Sequence, residues 1–305
     1  MGVVLGVDGG NSKTDVVLAS EDGEPLAYVR GPGSNAHARG LYEGAIDIVS
    51  ATVEQLRFDG VAERAVLFMC GADLPDDIRG LTDEVARRGW ARETLVDNDT
   101  FALLHAGTDR ADAVAVVCGS GINCVGRRGD HVARYPALGW ETGDWGGAEA
   151  IGQEAVYYAN RAVDGRGEKT ALVDLVEVHF GKPAAQVGAD FHYKRLPRTR
   201  LGELAPAIVA SDDAVAGRLT ARLADEIVLL VERALRDLEL EDADIVLGGG
   251  MLESGGRLVE LVAQRLPSTP ILPELPPVAG AVLVALHSDA AARFRHAFGG
   301  WEPRG

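Results

Sequence analysis

Apolar and polar positions follow strand and helix periods in an order that occurs twice along the chain. In the first part, three apolar runs separated by short polar turns predict strands at 3–7, 14–20 and 25–30. Helical and strand periods then alternate, which predicts helix 40–57, strand 65–70, helix 76–88, strand 94–97 and helix 100–105. Strands that alternate with helices in this way are typical of an α/β fold.

The pattern restarts at about residue 113, and the second copy is longer because it is rich in helices. Its predicted strands are 113–117, 123–127, 131–135, 244–247 and 270–272. Its predicted helices are 146–162, 170–180, 199–210, 213–238, 255–266 and 277–295, with a polar surface loop and short helix at 181–198. We therefore predict two α/β lobes, 1–110 and 111–305, with a helical insertion at about 146–240 and a central cleft between the lobes.

Composition and charge limit the classes of function. The 305 residues suit two domains, and a hydrophobic content of 47% is enough to build two cores. A net charge of −16 disfavours nucleic-acid binding, which needs basic patches. No apolar run reaches the ~20 residues of a membrane span, and no leader pattern precedes the first strand, so we expect a cytoplasmic protein without a membrane partner. Cys70, Cys118 and Cys124 lack CxxC spacing, so we expect buried thiols rather than disulfides or a zinc site.

The turn between the first two strands carries the residue types that bind a nucleotide phosphate. Its glycines let backbone N–H groups approach an anion, and its hydroxyl and lysine side chains add donors and charge. Asp8 can hold a hydrated Mg²⁺, since Mg²⁺ usually keeps several waters. A Walker loop would enter a helix, whereas a strand follows here. An ordinary hairpin turn is the alternative, and the predicted ATP contacts are Gly9, Gly10, Asn11, Ser12, Lys13 and Thr14.

Two further Gly-rich turns lie in the second copy. The first, at the place that matches the phosphate turn, contains Gly119, Ser120 and Gly121 and is followed by Asn123. Two such turns that face each other could hold the β- and γ-phosphates of ATP from both sides. The second joins a strand to a helix and is predicted to lie against adenosine, with a plain tight connection as the alternative; its residues are Gly248, Gly249 and Gly250.

Polar residues at the ends of strands supply the candidate chemistry. Asn98 and Asp99 end a strand and begin a helix, so either could be a simple N-cap. Ligands bind at the carboxyl ends of strands in open α/β sheets, and a carboxylate there can accept the proton of an attacking hydroxyl. Asp144 follows a Gly-flanked loop and could accept hydrogen bonds from sugar hydroxyls, or merely cap a helix. Asn35 could contact substrate or be an ordinary turn residue.

Together these motifs resemble the BadF/BadG/BcrA/BcrD ATPase family, which includes N-acetylglucosamine kinases and belongs to the sugar kinase/Hsp70/actin superfamily. The resemblance implies a duplicated RNase H-like (actin-like ATPase) fold that binds ATP and Mg²⁺ in the cleft. It also implies that Asp99 is the catalytic base and that Asn35, Asn98 and Asp144 bind the sugar. Members of the superfamily often dimerise, so a homodimer is expected.

The chain departs from the kinase pattern in two motifs. Trp145 stands where the kinase loop usually has an acid, which bears on the preference for acetamido sugars, and Ser120 stands where Thr is usual. The zinc-binding Cys cluster of ROK kinases is absent. The iron–sulfur activators of the family need cysteines at a subunit interface, whereas Cys118 and Cys124 lie in the strands beside a phosphate turn.

The sequence-based hypothesis is an ATP-dependent kinase that phosphorylates O6 of N-acetylglucosamine or glucosamine. The alternative is an ATPase that energises a partner protein, as the activators of the family do. A sugar-sensing regulator is the non-enzymatic alternative, and it would normally carry an added DNA-binding helix-turn-helix.

Overall fold

The computed structural model describes residues 2–252 and 256–301, and its first half is built on one five-stranded sheet. The strand order is β3-β2-β1-β4-β5, in which β1, β2 and β3 form an antiparallel meander and β4 and β5 run parallel to β1. The strands are β1 (Val3–Gly9), β2 (Lys13–Ser20), β3 (Pro25–Pro32), β4 (Ala62–Met69) and β5 (Ala91–Asn98). All five correspond to predicted strands and extend them by a few residues.

The second sheet repeats this topology. Its order is β8-β7-β6-β9, with β6 antiparallel to β7 and parallel to β9. The strands are β6 (Asp112–Cys118), β7 (Ile122–Arg128), β8 (His131–Arg134) and β9 (Asp244–Gly248). The strand predicted at 270–272 is reduced to a single bridge between Ile271 and Val246, because Pro270 and Pro273 on either side have no N–H to donate to a ladder. The predicted α/β duplication with a central cleft is confirmed.

Helices cover both faces of the first sheet. On the outer face lie α1 (Leu41–Val53) and α2 (Pro75–Arg88), and on the inner face lies α3 (Thr100–Gly107). The helix predicted at 40–57 ends earlier, at Val53, and a short 3₁₀ turn, Glu54–Leu56, completes it. These helices pack around strands that are buried on both sides, which explains the continuous apolar runs of β1 and β2.

The insertion between β8 and β9 is helical, as predicted. It contains α4 (Gly147–Val163), α5 (Leu172–Phe180), α6 (Ala184–His192), α7 (Ala205–Ala210) and α8 (Ala214–Asp237). The segment predicted as helix 199–210 is instead a 3₁₀ turn, Arg198–Leu204, followed by α7. At the start of α8, the carboxylate of Asp213 accepts hydrogen bonds from the amides of Val215 and Ala216, an N-cap that fixes where this long helix begins.

The chain ends with three helices, α9 (Arg257–Ala263), α10 (Pro277–Ala285) and α11 (Ser288–Phe298). The first residue of the predicted helix 255–266 lies outside the described residues. The single helix predicted at 277–295 is two helices, because Leu286 and His287 adopt extended backbone angles between them. The break lets the almost wholly apolar α10 lie buried while the amphipathic α11 turns a polar face to solvent.

After the second sheet, the chain returns to the first one. Helix α10 packs on β1 and α3, and two glycines permit the approach. A Cβ on Gly6 would lie 2.8 Å from the backbone nitrogen of Val282, and a Cβ on Gly280 would lie 2.9 Å from the nitrogen of Ala106. The lobe division at 1–110 and 111–305 stays a prediction. Among the described residues, no helix is long and apolar enough to cross a bilayer.

Candidate active site

A cavity of about 860 Å³ lies between the two sheets, and most of the predicted site residues line it. They come from the ends of β1, β5 and β6, from the turns that follow these strands, and from the start of the helical insertion. The predicted residues that line the cavity are Asp8, Gly10, Asn11, Ser12, Lys13, Asn35, Asn98, Asp99, Gly119, Ser120, Gly121, Asn123, Asp144, Gly249 and Gly250.

Three predicted ATP contacts lie behind the cavity wall instead. Thr14 is fully buried, and its hydroxyl donates to the carbonyl oxygen of Pro32 at 2.7 Å and lies 2.8 Å from the Ser34 hydroxyl. Gly9 and Gly248 are also buried, and a Cβ at either would press on a neighbouring side chain, Met69 or Leu103. The Thr14 hydroxyl therefore bonds the turn to the end of β3, and at Gly9 and Gly248 the neighbouring side chains pack into the space that a Cβ would fill.

The first phosphate turn, between β1 and β2, is fixed by backbone hydrogen bonds. The Gly10 amide donates to the Lys13 carbonyl at 2.9 Å, and the Ser34 amide donates to the Gly10 carbonyl at 3.0 Å. This leaves Ser12 exposed at the tip, and the Lys13 amine is steered by the buried carboxylate of Asp15, 3.2 Å away. The turn thus presents an amide-rich tip and one cation to the cavity, as an anion site requires.

The second phosphate turn is anchored to the helical insertion. Its Gly119 and Ser120 carbonyls accept hydrogen bonds from the first amides of α4, from Ala148 at 2.8 Å and Glu149 at 3.0 Å. Gly147 adopts φ = 78°, and a Cβ there would lie 2.5 Å from the carbonyl carbon of Gly121. The first amides of α4 therefore fix the position of the turn, because their hydrogen bonds are used on its carbonyl groups.

The third Gly-rich turn packs against the end of β6. Gly249 adopts φ = 91°, and a Cβ on it would lie 2.6 Å from the carbonyl oxygen of Cys118. The Met251 amide donates to the same carbonyl at 3.0 Å. The backbone of this turn therefore forms a smooth wall of the cavity beside the second phosphate turn. The residues that follow, 253–255, lie outside the described part of the chain.

Asp99 lies in the cavity wall, and Asn98 takes the capping role that was an alternative for either residue. The side-chain oxygen of Asn98 accepts a hydrogen bond from the Thr100 amide at 2.9 Å, whereas Asp99 makes no side-chain cap. Burial, and then the charge of Asp73, raise the pKa of Asp99 to about 7, although neighbouring backbone amides lower it. A carboxyl with a pKa near neutrality is suited to accept a proton there.

Asp73 was not predicted as a site residue, although, like Asp99, it follows the carboxyl end of a strand. It follows the parallel strand β4, so it emerges at the same edge of the sheet. The side-chain amide of Asn98 donates to it at 3.1 Å, and that of Asn123 lies within 3.4 Å of it and 3.2 Å from the Asn98 oxygen. Burial raises the pKa of Asp73 to about 6. This network joins the two lobes directly behind Asp99.

Asp8 is the penultimate residue of β1, and its carboxyl group is buried. Burial, then the neighbouring carboxylates Asp99 and Asp15, raise its pKa to about 8, against the opposing effect of Lys13. The structure records no hydrogen bond to this carboxylate among the described residues. A buried acid without a partner, facing the phosphate turns, fits a hydrated divalent cation, since oxygen donors are the ligands that Mg²⁺ prefers.

The loop before α4 contributes Asp144 and two tryptophans with different surroundings. The Asp144 carboxylate accepts a hydrogen bond from the Gly139 amide at 3.2 Å, and burial raises its pKa. Trp145 is buried, with the Arg222 guanidinium 3.7 Å from its ring centroid. Trp140 lines the cavity. Trp145, which departs from the kinase pattern, packs in the core of the second lobe and also contributes to the cavity wall.

Asn35 serves both the backbone and the cavity. Its side-chain oxygen accepts a hydrogen bond from the His37 amide at 2.9 Å, and its amide donates to the Asn11 side chain at 3.1 Å. The turn role that was the alternative is therefore present. One N–H and one lone pair of the carboxamide are left for a ligand.

The profile of the BadF/BadG/BcrA/BcrD ATPase family matches residues 5–285. The chain belongs to this family. The match spans both sheets and all three Gly-rich turns, so all the residues that line the cavity lie within the matched range. The family assignment inferred from the motifs is confirmed.

Two relatives of this family member have named activities. The N-acetyl-D-glucosamine kinase of Dictyostelium discoideum is 25% identical over 319 residues, which covers 94% of this chain and 98% of the relative. The N-acetylmuramic acid/N-acetylglucosamine kinase of Clostridium acetobutylicum is 26% identical over 266 residues, which covers 83% of this chain and 87% of the relative. Both are similar to this chain over most of their length.

Solved structures show the same fold. A protein of Chromobacterium violaceum, provisionally named N-acetylglucosamine kinase, matches with a TM-score of 0.75 at 19% identity, covering 93% of this chain and 99% of that one. A ROK family glucokinase of Streptomyces griseus, in complex with glucose and AMPPNP, matches with a TM-score of 0.62 at 17% identity, covering 97% of this chain and 100% of that one. These likenesses confirm the actin-like duplication of the BadF/BadG/BcrA/BcrD member.

Proposed function

We propose that this family member is an ATP-dependent sugar kinase that transfers the γ-phosphate to O6 of N-acetylglucosamine or glucosamine. The observation that carries the proposal is the position of Asp99. Its carboxylate lines the cavity that both phosphate turns also line, and its ordinary capping role is filled by Asn98. The names of the two relatives support an amino-sugar acceptor.

In the proposed reaction, Asp99 accepts the proton of the acceptor hydroxyl as that oxygen attacks the γ-phosphorus. The bond from the γ-phosphorus to the bridging oxygen breaks, and ADP leaves. The Asp73–Asn98–Asn123 network holds the strand end that carries Asp99, so the carboxylate keeps one position relative to both turns. Charge on the transferring group is balanced by Lys13 and by the amides of the two turns.

Asp8 is the residue that would hold Mg²⁺, through water. When bound, the ion would neutralise charge on the β- and γ-phosphates. Because the pKa of the isolated Asp8 carboxyl is raised to about 8, a bound cation would also compensate the charge that burial penalises.

Acceptor recognition is proposed for Asn35, Asn98 and Asp144. Asp144 is fixed by the Gly139 amide through one oxygen and keeps the other for sugar hydroxyls. O6 is the primary hydroxyl of a hexosamine and the least hindered, which favours it as the nucleophile. A homodimer remains the prediction from the family resemblance, and a cytoplasmic location remains the prediction from the sequence pattern; light scattering on a sizing column tests the dimer.

Two of the three thiols are fully buried, which favours a kinase over an activator of a partner protein, whereas Cys70, expected to be buried, is half-buried and lines the cavity. An iron–sulfur cluster shared between subunits needs cysteines at a surface. Cys118 and Cys124 have no exposed area, and burial raises the pKa of the Cys118 thiol to about 12. Neither thiol is placed to bind a cluster at an interface.

The proposal is tested by measuring ADP release with a panel of hexoses and hexosamines, each with ATP and MgCl₂. We expect turnover with N-acetylglucosamine or glucosamine, and a loss of about 100- to 10,000-fold in kcat for Asp99→Asn, as is typical for removal of a general base. Asp59→Asn, at an exposed position of the first lobe, is the matched control and should leave kcat unchanged. ADP release that is the same with and without every sugar, or near-full turnover in Asp99→Asn, would contradict it.

A further inference from the structure

Trp140 differs from the other three tryptophans in what surrounds its ring. Trp145 lies under Arg222, Trp301 stacks on Phe298 at 5.6 Å, and Trp90 packs against the core of the first lobe. The Trp140 side chain is 74% exposed, and among the described residues no aromatic ring or guanidinium is recorded as stacking on it. Both Trp140 and Trp145 line the cavity between the lobes, but the Trp145 ring is buried under Arg222, whereas the Trp140 ring is open. A large apolar surface left open at the edge of a concave site indicates a ligand contact.

The loop that carries Trp140 is a fixed hydrogen-bonded turn. The Gly143 amide donates to the Trp140 carbonyl at 3.1 Å, and the Thr142 amide and hydroxyl donate to the Gly139 carbonyl at 3.0 and 2.9 Å. Gly139 and Gly143 adopt φ of 93° and 80°, the left-handed region that favours glycine. The two glycines let the turn hold the indole at the edge of the cavity while the backbone folds back beneath it.

Asp144 is hydrogen-bonded to the same turn, so the Trp140 indole and the Asp144 carboxylate are carried by one hydrogen-bonded loop. Its carboxylate accepts a hydrogen bond from the Gly139 amide, and its own amide donates to the Gly139 carbonyl, both at 3.2 Å. Each group lines the cavity. A flat apolar ring beside a carboxylate is complementary to a pyranose, which has C–H groups on its faces and hydroxyls at its edge.

We propose that Trp140 covers the acceptor sugar, with its indole against the C–H face of the ring while Asp144 binds the hydroxyls. The inference rests on the proposed sugar-kinase function and names the residue that recognises the ring itself. Because the indole contacts the sugar and not the nucleotide, its loss should raise KM for the sugar and leave KM for ATP nearly unchanged. Phe would keep a ring against the sugar, so Trp140→Phe should behave nearly like the unaltered protein.

The test combines steady-state kinetics with intrinsic tryptophan fluorescence, using N-acetylglucosamine and glucosamine as probes. We expect the accepted sugar to shift the emission to shorter wavelength in the unaltered protein, in Trp301→Phe and in Trp145→Phe, since Trp301 is not among the residues that line the cavity and the Trp145 ring is covered by Arg222. Trp140→Ala should lose the shift and raise KM for the sugar by about tenfold or more, the scale of one buried aromatic contact, with a less than twofold change for ATP.

The outcomes separate the two proposals. If the unaltered protein phosphorylates a sugar but Trp140→Ala keeps its sugar KM and its fluorescence shift, the role of Trp140 is overturned and the kinase stands. An emission shift that follows protein concentration instead of sugar would also overturn it, because Trp140 would then be covered by another copy of the chain. If no sugar is phosphorylated and none shifts the emission of the unaltered protein, the kinase proposal falls, and the Trp140 proposal falls with it.

Discussion

The Asp73–Asn98–Asn123 network leads to a quantitative prediction, because the Asn98 side chain both stabilises the fold and lines the candidate site. Asn98 is 4% exposed, caps α3 through the Thr100 amide and bonds to Asp73 and Asn123. Asn98→Ala removes all of these bonds, and of their partners Thr100 is buried while Asp73 and Asn123 are half-buried at the cavity. The lost cap costs about 1 kcal/mol and the lost hydrogen bonds to Asp73 and Asn123 about 1 to 3 kcal/mol more. We therefore expect the free energy of unfolding to fall by about 2 to 4 kcal/mol.

Urea unfolding at neutral pH measures the change, and kcat under saturating substrates measures its effect on the proposed site. The double variant Asn98→Ala/Asn123→Ala should lose less stability than the sum of the single variants, with a coupling of about 0.5 to 3 kcal/mol across the lobes. A loss for Asn98→Ala below about 0.5 kcal/mol, the scale of an inert surface change, would refute the reasoning. Strictly additive single variants would show that the two amides do not interact.

Three further predictions concern residues outside the cavity. Burial lowers the pKa of His105 from 6.5 to about 4, so the unfolded chain takes up the proton first as the pH falls. The free energy of unfolding should therefore fall by up to about 3 kcal/mol between these two pH values. This loss should be smaller in His105→Gln, as urea titrations at several pH values will show. Arg134 makes a two-point ion pair with Asp97 across the lobes. Arg134→Ala should therefore reduce kcat several-fold, and Arg134→Lys should recover only part of it because an ammonium group cannot pair at two points. Equal kcat in the unaltered protein and both variants would count against this prediction. Gly280→Ala forces a methyl group into the backbone of α3 and should lower the free energy of unfolding by about 1 to 3 kcal/mol. Gly300 has open space around it, so Gly300→Ala should leave thermal unfolding unchanged.

The strands of the two sheets and their order along the chain could be predicted because each apolar run is bounded by turn residues and the pattern appears twice. The end of the chain could not, since nothing between 277 and 295 is a strong helix breaker. The break at Leu286 and His287 arises from tertiary packing, which buries α10 against the first sheet and leaves α11 half-exposed. The missing strand at 270–272 was readable in the prolines on either side of Ile271.

Most of the residues predicted for the site line the cavity, and their roles stay predictions; the exceptions are residues whose chemistry and position in a strand compete. Thr14 has a side chain suited to phosphate, but it alternates with Lys13 along β2 and therefore points into the protein. Asp73 also follows a strand end, yet its loop contains the single glycine Gly71 and not the several glycines that drew attention to the other turns. The difference between Trp140 and Trp145 depends on Arg222, which is distant in sequence and close in space.

The central claim is that Asp99 directs a bound nucleotide's phosphate to a sugar, and phosphorus NMR of the products tests it most directly. With ATP, MgCl₂ and N-acetylglucosamine or glucosamine, the unaltered protein should form ADP and a sugar 6-phosphate in equal amounts. Asp99→Asn should form neither at a comparable rate while it still binds AMPPNP in calorimetry. Release of inorganic phosphate without sugar phosphate, or an undiminished rate in Asp99→Asn, would contradict the claim.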